Sequence, residues 1–245
     1  MRNIIGQPWA LRLRNNLRHS TLARSLYSRW MARHSYEDRF RQRLLASVDS
    51  TTTVWDIGAN VGLYTQQFLD HGARHVIAFE PAPDAIRELR RRFGDAHAGA
   101  SRLTIVPAGL SDHCGAVRFS ADGSSALNRI VRASQSTCDS LVNTVDINVM
   151  RADAALNSCG IAVPNVVKID VEGFELEVLR GFGALLDSAE LHSIFVEVHF
   201  ALLHERGLGS APTEIVALLT RHGFRVEWLD LSHACALRRA TRHPG

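Results

Sequence analysis

The residues that could carry out chemistry follow short apolar runs, and the first such run lies in residues 54–62, VWDIGANVG. It contains a carboxylate, and two glycines follow before the next helical pattern. Because glycine has no side chain, the backbone there can approach a ligand at the amino end of a helix. We therefore interpret this segment as a nucleotide-binding turn. Its candidate contacts are Asp56, Gly58, Ala59, Asn60 and Gly62.

The composition of this turn narrows the kind of nucleotide. A dinucleotide site would read G-x-G-x-x-G and hold a pyrophosphate, but no third glycine stands in register and Asp56 would repel phosphate. A P-loop is excluded because the chain has no Gly-Lys-Ser or Gly-Lys-Thr. A nucleoside with a cationic tail suits the turn better. S-adenosylmethionine, which carries a sulfonium and an amino group, fits that description.

A second acidic residue supports the same donor. Glu80 follows the apolar run of residues 75–79, precedes Pro81 and lies 18 residues after Gly62. An acidic residue roughly 20 residues beyond such a turn commonly accepts hydrogen bonds from the ribose hydroxyls. Glu80 could instead be a solvated acid at the end of a strand. Taken with the turn, the pattern predicts that Glu80 and Pro81 also line an S-adenosylmethionine site.

A third segment, residues 167–175 (VKIDVEGFE), places two acids after a strand pattern. We expect this strand to lie beside the first one, where the strand order of a doubly wound sheet reverses and ligands bind. Asp170 would then face the reactive methyl group. Glu172 could reach the same cleft or cap the following helix. Lys168, the only lysine in the chain, either supplies a compact ammonium beside Asp170 or is an ordinary strand lysine.

The last candidates are Glu197 and His199, at the end of a further strand pattern. Alternation along a strand puts both side chains on one face. An ordinary histidine pKa of about 6.5 suits a general base, so we predict His199 as the first and Asp170 as the second candidate base. Glu172 and Glu197 would orient the acceptor or the histidine. His199 could instead be a strand-end histidine satisfied by the backbone.

The same residues allow a metal-dependent alternative. Asp170, Glu197 and His199 offer the oxygen and nitrogen ligands that a divalent cation takes, and such an ion would acidify an acceptor hydroxyl. Their convergence, however, rests on strand order alone. We therefore predict a site without a metal and keep the cation as the alternative.

These residues need a framework of strands and helices to position them. Strands are predicted at residues 53–57, 75–79, 103–106, 116–120, 144–149, 166–170, 193–198, 224–228 and 234–238. Helices are predicted at residues 61–70, 84–93, 174–180 and 213–222. Asp84 is expected to cap the second of these helices and Gly181 to end the third. The alternation predicts an α/β fold with a Rossmann-like, doubly wound, mostly parallel sheet.

The amino-terminal residues differ from the rest of the chain in charge. Residues 1–45 hold ten arginines and two acids, a charge of +8, whereas the other 200 residues sum to −5. Apolar spacing from Leu22 and from Phe40 predicts helices here. We therefore divide the chain into a basic helical extension, residues 1–50, and a Rossmann-like domain, residues 51–245. The extension could contact an anionic or membrane-held ligand, or its arginines could simply be solvated.

Composition excludes several classes of protein. No apolar run reaches the roughly 18 residues of a membrane span, and arginine interrupts the apolar stretches at the amino terminus. We expect a cytoplasmic protein. The four cysteines form no Cys-x-x-Cys pair, so neither a zinc knuckle nor a redox dithiol is predicted.

Four motifs together resemble the FkbM-type class I methyltransferases: DIGANVG at residues 56–62, FEP at 79–81, GLSD at 109–112 and KIDVEG at 168–173. The resemblance implies a Rossmann-like fold and S-adenosylmethionine as methyl donor. It also implies O-methylation of a hydroxyl on a sugar, in a glycan or glycolipid, or on another small molecule such as a secondary metabolite. Gly109, Leu110, Ser111 and Asp112 would then lie near the adenine.

Two further functions remain open at the level of sequence. The basic extension allows RNA methylation, but the Lys-Asp-Lys-Glu type needs two lysines and this chain has one. Because the motifs of amino-group and pyrimidine-carbon methyltransferases are also missing from the sequence, we expect no nucleic-acid partner. The chain could also bind S-adenosylmethionine without catalysing transfer, which the retained acids and His199 argue against.

Overall fold

The computed structural model describes residues 36–94, 101–120, 129–130 and 144–238. Its strands are β1 Thr53–Ile57, β2 His75–Phe79, β3 Leu103–Val106, β4 Gly109–Leu110, β5 Gly115–Ser120, β6 Arg129–Ile130, β7 Thr144–Met150, β8 Val166–Ile169, β9 Ser193–Glu197, β10 Phe224–Trp228 and β11 His233–Arg238. Its helices are α1 Tyr36–Leu45, α2 Leu63–Asp70, α3 Pro83–Phe93, α4 Ala152–Cys159, α5 Glu175–Phe182, α6 Phe200–Glu205 and α7 Ala211–Arg221, with a 3-10 helix at Gly183–Asp187. None of the described helices is long and apolar enough to cross a membrane.

The larger sheet has the strand order β10-β11-β9-β8-β1-β2-β3. β1 pairs in parallel with β2 on one side and with β8 on the other, and the β2–β3 and β8–β9 pairs are also parallel. β11 is antiparallel to both β9 and β10. The predicted doubly wound, mostly parallel sheet is therefore confirmed. Because the strand order reverses between β1 and β8, a crevice opens at the carboxyl ends of these two strands.

Apolar side chains alternate between the two faces of this sheet. Trp55 and Ile57 pack with Phe79 in one core cluster, whereas Val54 packs with Phe68 in a second cluster. Helices cover both faces, which explains why the central strands read as nearly continuous apolar runs. Burial on both sides also fixes the register of pairing, because a slip by one residue would exchange the two faces.

A smaller sheet has the order β4-β7-β5-β6 among the described strands. β7 is antiparallel to β5 and parallel to β4. Ile147 and Val149 of β7 pack against Ala82 and Ala85, at the start of α3. This sheet therefore lies beside the loop that follows β2 and supports it.

The described part of the amino-terminal extension packs on the larger sheet. α1 buries Phe40 and Leu44 in the same cluster as Phe195 of β9. The ring centroids of Phe40 and His233 are 4.3 Å apart. A helix is thus present where the spacing from Phe40 predicts one, whereas the helix predicted from Leu22 lies outside the described residues. The division at residue 50 and a membrane contact of the extension stay predictions.

Two predicted roles at helix ends are wrong. α3 begins at Pro83 with Ala82 as its cap, because the fixed φ and missing N–H of proline suit the first helical position, and Asp84 lies in the first turn. α5 continues one residue past Gly181. A Cβ on Gly181 would lie 1.9 Å from the carbonyl oxygen of Ser111, so this glycine permits close packing and does not end the helix. The sequence analysis also missed α4, α6, β4, β6 and the 3-10 helix.

Candidate active site

The turn between β1 and α2 is held by the neighbouring strand β2. The N–H groups of Gly58 and Ala59 both donate to the carbonyl oxygen of Phe79, at 3.0 Å each. Gly58 has φ of +77°, and a Cβ built there would lie 1.9 Å from the carbonyl oxygen of Asp170. Gly62, with φ of +80°, caps the start of α2. Glycine is therefore required at position 58 both by conformation and by contact with the loop after β8.

Glu80 joins the loops that follow β1 and β2. Its buried side chain accepts the N–H of Asn60 at Oε2 and the N–H of Ala82 at Oε1, both at 2.8 Å. Burial raises the pKa of Glu80, while these two N–H groups act to lower it. Each carboxylate oxygen keeps a further lone pair for a ligand hydroxyl. Pro81 follows, half-buried, as the next residue of the same loop.

Lys168 lies beneath this turn, with a side chain 3% exposed. Its Nζ is 3.1 Å from the carbonyl oxygen of Gly58, 3.3 Å from Oδ1 of Asp56 and 3.3 Å from Oδ2 of Asp170. Burial favours the neutral amine, but the two carboxylates outweigh it and raise the pKa of Lys168. Lys168 is therefore a charged link between the β1 turn and the acid that follows β8.

Two of the predicted site residues are buried. Asp56 has no exposed surface, and its Oδ2 accepts the hydroxyl hydrogen of Thr65 at 2.7 Å. Alternation along β1 turns this side chain into the core together with Val54, and its direct contact with the methyl donor stays a prediction. Lys168 is likewise buried. Its catalytic role also stays a prediction, and the structure places its ammonium between Asp170 and the Gly58 carbonyl.

Four carboxylates surround His199, and we call them, with this histidine, the acidic cluster: Asp170, Glu172, Glu175 and Glu197. The Nδ1 of His199 donates to Oε1 of Glu175 at 2.7 Å. The Nε2 lies 3.4 Å from Oε2 of Glu172, 3.7 Å from Oδ1 of Asp170 and 4.0 Å from Oε1 of Glu197. The structure thus brings together the four residues that the sequence analysis placed in one cleft.

Glu175 is the member that sequence reasoning missed. Its side chain is 0% exposed, and Oε1 also accepts the N–H of Gly173 at 2.9 Å. Glu172 and Gly173 both have positive φ, +51° and +91°, which produces the sharp turn that brings Glu175 back toward the histidine. The only signal in the sequence was an acid in the first turn of a helix. Acids are common there because they interact favourably with the helix dipole, so the position did not single out Glu175.

The environment of His199 overturns one premise of the sequence analysis. Burial disfavours the imidazolium, but Glu175, Glu172 and Asp170 outweigh that effect and raise the pKa of His199 to about 9. The assumption of an ordinary value of about 6.5 is wrong here. At neutral pH the histidine carries its proton when nothing is bound beside it. Its prediction as the general base loses the support of a near-neutral pKa.

A second histidine extends this network away from the cleft. The Nδ1 of His233 donates to Oδ2 of Asp230 at 2.7 Å, and its Nε2 lies 3.4 Å from Oε2 of Glu197. Burial opposes the charged ring, but Asp230 and Glu197 raise the pKa of His233 to about 9. The same contacts lower the pKa of Asp230. Glu197 is therefore shared between two imidazoles, which nothing in the spacing of the sequence indicated.

The His233 network predicts a loss of stability in mild alkali. The pKa of His233 in the folded protein, about 9, lies above the ordinary value of 6.5. The stabilisation by the charged ring is therefore complete below pH 6.5 and is lost as pH rises through 9. We expect this one group to account for a fall in unfolding free energy on the order of 3 kcal/mol. Urea unfolding of wild type and His233→Gln at several pH values measures it. Parallel pH profiles for the two proteins would contradict the assignment.

The GLSD segment is mostly built into the fold. Leu110 is buried, and the carbonyl of Ser111 packs against Gly181 of α5. A Cβ on Gly109 would lie 3.5 Å from Pro81, so the segment adjoins the loop of Glu80. Asp112 is partly exposed and contacts His113 at 2.9 Å. That this segment lies near an adenine stays a prediction. Gly109 and Asp112 are its two partly exposed residues.

Comparison with known proteins agrees with this geometry. The methyltransferase FkbM domain matches residues 56–226, which include the turn, Glu80 and the acidic cluster. The chain belongs to the FkbM methyltransferase family. One FkbM-family relative, the hexuronic acid methyltransferase AglP of Haloferax volcanii, is 30% identical over 191 residues, which cover 77% of this chain and 70% of that protein. The 31-O-demethyl-FK506 methyltransferase FkbM of Streptomyces tacrolimicus is 27% identical over 225 residues, covering 81% and 82%.

The fold of this FkbM methyltransferase also resembles a solved member. The crystal structure of methyltransferase FkbM from Methylobacillus flagellatus aligns with a TM-score of 0.51 at 16% identity, covering 77% of this chain and 44% of that one. The resemblance identifies a class I methyltransferase fold. Together with the family match, it makes the chain an S-adenosylmethionine-dependent methyltransferase, as predicted.

The FkbM site can be tested for its fit to that donor. Asn60 is a non-glycine residue at φ of +51°, and its buried Oδ1 has no hydrogen-bond partner among the described residues. An unpaired buried acceptor is costly unless a ligand donates to it. Beside it, each carboxylate oxygen of Glu80 has a spare lone pair. An adenosyl group with ribose hydroxyls and a cationic tail fits these acceptors.

Proposed function

We propose that this FkbM methyltransferase methylates a hydroxyl oxygen on a sugar or on a secondary metabolite. The observation that carries the proposal is the acidic cluster, which stands at the carboxyl ends of β8 and β9 beside the donor turn. The names of the two relatives support it, since one is a hexuronic acid methyltransferase and the other a 31-O-demethyl-FK506 methyltransferase. A cleft lined by carboxylates accepts hydrogen bonds from the hydroxyl groups of such acceptors.

On the donor side, the proposed contacts are those of the turn and of Glu80. When bound, S-adenosylmethionine supplies an electrophilic methyl group on a sulfonium. Glu80 accepts hydrogen bonds from ribose hydroxyls, and Asn60 accepts one at its unpaired Oδ1. Gly58 and Gly62 contribute shape, because a Cβ there would overlap the Asp170 carbonyl or the side chains of Phe93 and Leu89 and would displace the turn. Ala59, whose side chain packs in the core, contributes only backbone. Alignment of donor and acceptor is the largest contribution that such a site makes to the rate.

On the acceptor side, exposure separates the members of the acidic cluster. Glu175 is wholly buried, whereas the side chains of Asp170, Glu172 and Glu197 are 28%, 37% and 34% exposed. These three can reach an acceptor and take the proton that its hydroxyl loses. Burial and the neighbouring acids raise the pKa of Glu172 against the opposing effect of His199, which makes this carboxylate a better proton acceptor than an ordinary glutamate. His199 orients these acids and does not itself accept the proton.

These roles predict that donor binding and turnover separate by mutation. Glu80→Gln replaces one carboxylate oxygen with an amide NH₂, which would face the backbone N–H of Asn60 or Ala82 and lose that hydrogen bond. We therefore expect the affinity for S-adenosylmethionine to fall at least tenfold. Glu172→Gln should leave that affinity within about threefold while kcat falls by about 10² or more. Calorimetric titration of the donor and turnover assays measure the two quantities. Glu88→Gln, on the exposed surface of α3, is the matched control. The opposite pattern, with Glu172→Gln losing donor affinity, would contradict the division.

The acceptor class is tested with labelled S-adenosylmethionine and a panel of uronic acids, neutral sugars, hydroxylated metabolites and RNA. We expect label on a sugar or metabolite, in a methyl ether that survives mild alkaline hydrolysis. A methyl ester on a carboxylate would be cleaved there and would overturn the hydroxyl assignment. Label on RNA would favour the RNA methyltransferase alternative. Donor binding without transfer to the panel or to a cell extract analysed by mass spectrometry would favour a binding module.

A further inference from the structure

The orientation of His199 is that of a metal ligand. Its Nδ1 is fixed by the hydrogen bond to Glu175, which leaves Nε2 directed at Glu172 and Asp170. Histidines that bind metals in proteins usually donate their second ring N–H to a carboxylate or carbonyl, which fixes the ring and its tautomer. The buried Glu175 supplies that contact.

The distances among the three facing groups suit one cation. The ligand atoms offered by Asp170, Glu172 and His199 all lie within 4.8 Å of one another. The Nε2 of His199 is 3.4 Å and 3.7 Å from the two carboxylate oxygens. Neighbouring ligands around an octahedral ion with bonds of about 2.1 Å are roughly 3 Å apart. Small side-chain movements therefore bring the three atoms into a coordination shell.

The balance of charge also favours a cation. Four carboxylates surround His199, and Lys168 is already shared between Asp56 and Asp170. The carboxylate of Glu175 is wholly buried behind the histidine, and its Oε2 has no hydrogen-bond partner among the described residues. An excess of buried negative charge is costly unless a positive charge compensates it. A histidine must be neutral to bind a metal, so a divalent ion at Nε2 would replace the proton that His199 carries in its absence and would supply a larger compensating charge.

We infer that Asp170, Glu172 and His199 bind a divalent cation of the Mg²⁺ or Mn²⁺ type, with Glu172 in place of the Glu197 that the alternative from the sequence named. Oxygen-rich ligand sets favour these ions. The inference rests on the proposed function in one respect: the ion's open positions would bind the acceptor oxygen. A coordinated hydroxyl loses its proton more readily. Held by these three residues, the ion would make the acceptor hydroxyl more acidic, and Glu197, which the ion leaves free, would be the carboxylate that accepts its proton.

Metal binding can be measured without any acceptor. The purified full chain is titrated with Mn²⁺, and the free ion is followed by electron paramagnetic resonance. We expect one Mn²⁺ per chain, displaced by excess Mg²⁺. His199→Ala and Glu172→Gln should each weaken binding at least tenfold, and Glu175→Gln should weaken it by about 10 to 100-fold through the loss of its hydrogen bond to His199. His222→Ala is the control, because it removes a surface histidine paired with Asp187 and should leave binding unchanged.

The outcomes separate this inference from the proposed function. No Mn²⁺ binding at millimolar concentration in wild type would overturn the inference, as would equal binding in the folded His199→Ala and Glu172→Gln variants. Circular dichroism establishes that each variant is folded. Turnover that persists after exhaustive chelation would also overturn it while leaving O-methylation intact. Conversely, specific Mn²⁺ binding without methyl transfer to any hydroxyl would support the metal site and contradict the proposed function.

Discussion

Gly58→Ala is expected to lower the unfolding free energy by about 3 kcal/mol or more and to abolish binding of S-adenosylmethionine. Two effects add at this position. An alanine at φ of +77° is strained by roughly 1–2 kcal/mol, and its Cβ would lie 1.9 Å from the carbonyl oxygen of Asp170. The backbone can relieve that overlap only by moving the β1 turn away from the loop after β8. The donor site and the acidic cluster would then lose their common support.

A matched control separates strain from contact. Gly72 has φ of +87°, but a Cβ there would meet nothing within 4 Å. Gly72→Ala should therefore cost only about 1–2 kcal/mol and leave donor affinity unchanged. Urea unfolding and calorimetric titration of both variants give the comparison. If Gly58→Ala were no more destabilising than Gly72→Ala, the close approach to Asp170 would not be a constraint on this fold.

Lys168→Met is expected to lower the unfolding free energy by about 3–5 kcal/mol, because it leaves Asp56 charged and unpaired in the core. Asp170 would also lose one of the groups that hold it, so turnover should fall in whatever folded protein remains. Thermal or urea unfolding measures the first effect. Adding Asp56→Asn to the same protein removes the unpaired charge and should restore a large part of the stability. No recovery in the double variant would contradict the ion pair as the cause.

Lys168→Arg distinguishes the charge of this residue from its size. The guanidinium keeps a positive charge but is larger and planar, and the site is nearly closed to solvent. We expect a cost of about 1–3 kcal/mol from overpacking, with reduced activity. Unchanged stability and turnover would mean that the single lysine of the chain is only a feature of its composition.

Local patterns predicted the framework of the fold because its central strands are buried on both faces. β1, β2 and β3 begin and end where the apolar runs do, and the position of β8 beside β1 followed from the handedness and order of β-α-β units. Helix ends were less predictable. Gly181 resembles a helix stop in the sequence, but its position is set by contact with Ser111, which is distant along the chain.

The acidic cluster was predicted in part, for a similar reason. Asp170 and His199 follow strands, so sheet order alone brings them to one edge. Glu175 is directed inward by the sharp turn at Glu172 and Gly173, and His233 arrives from an antiparallel strand whose pairing no local pattern indicates. The pKa of His199 depends on these unforeseen neighbours. Residue types therefore located the site, whereas the protonation state of its histidine depended on tertiary contacts.

The packing of α1 sets a lower limit on any minimal catalytic fragment. Phe40 stacks against His233, and Leu44 and Val48 fill the same core as Val54 of β1. A protein shortened to residues 51–245 would expose this core and would remove the Phe40 ring that packs against His233. Truncations designed to discard the arginine-rich segment should therefore keep the chain from Tyr36 onward. A buried aromatic ring, Phe40, therefore limits how far the chain can be shortened, whatever division the change in charge suggests.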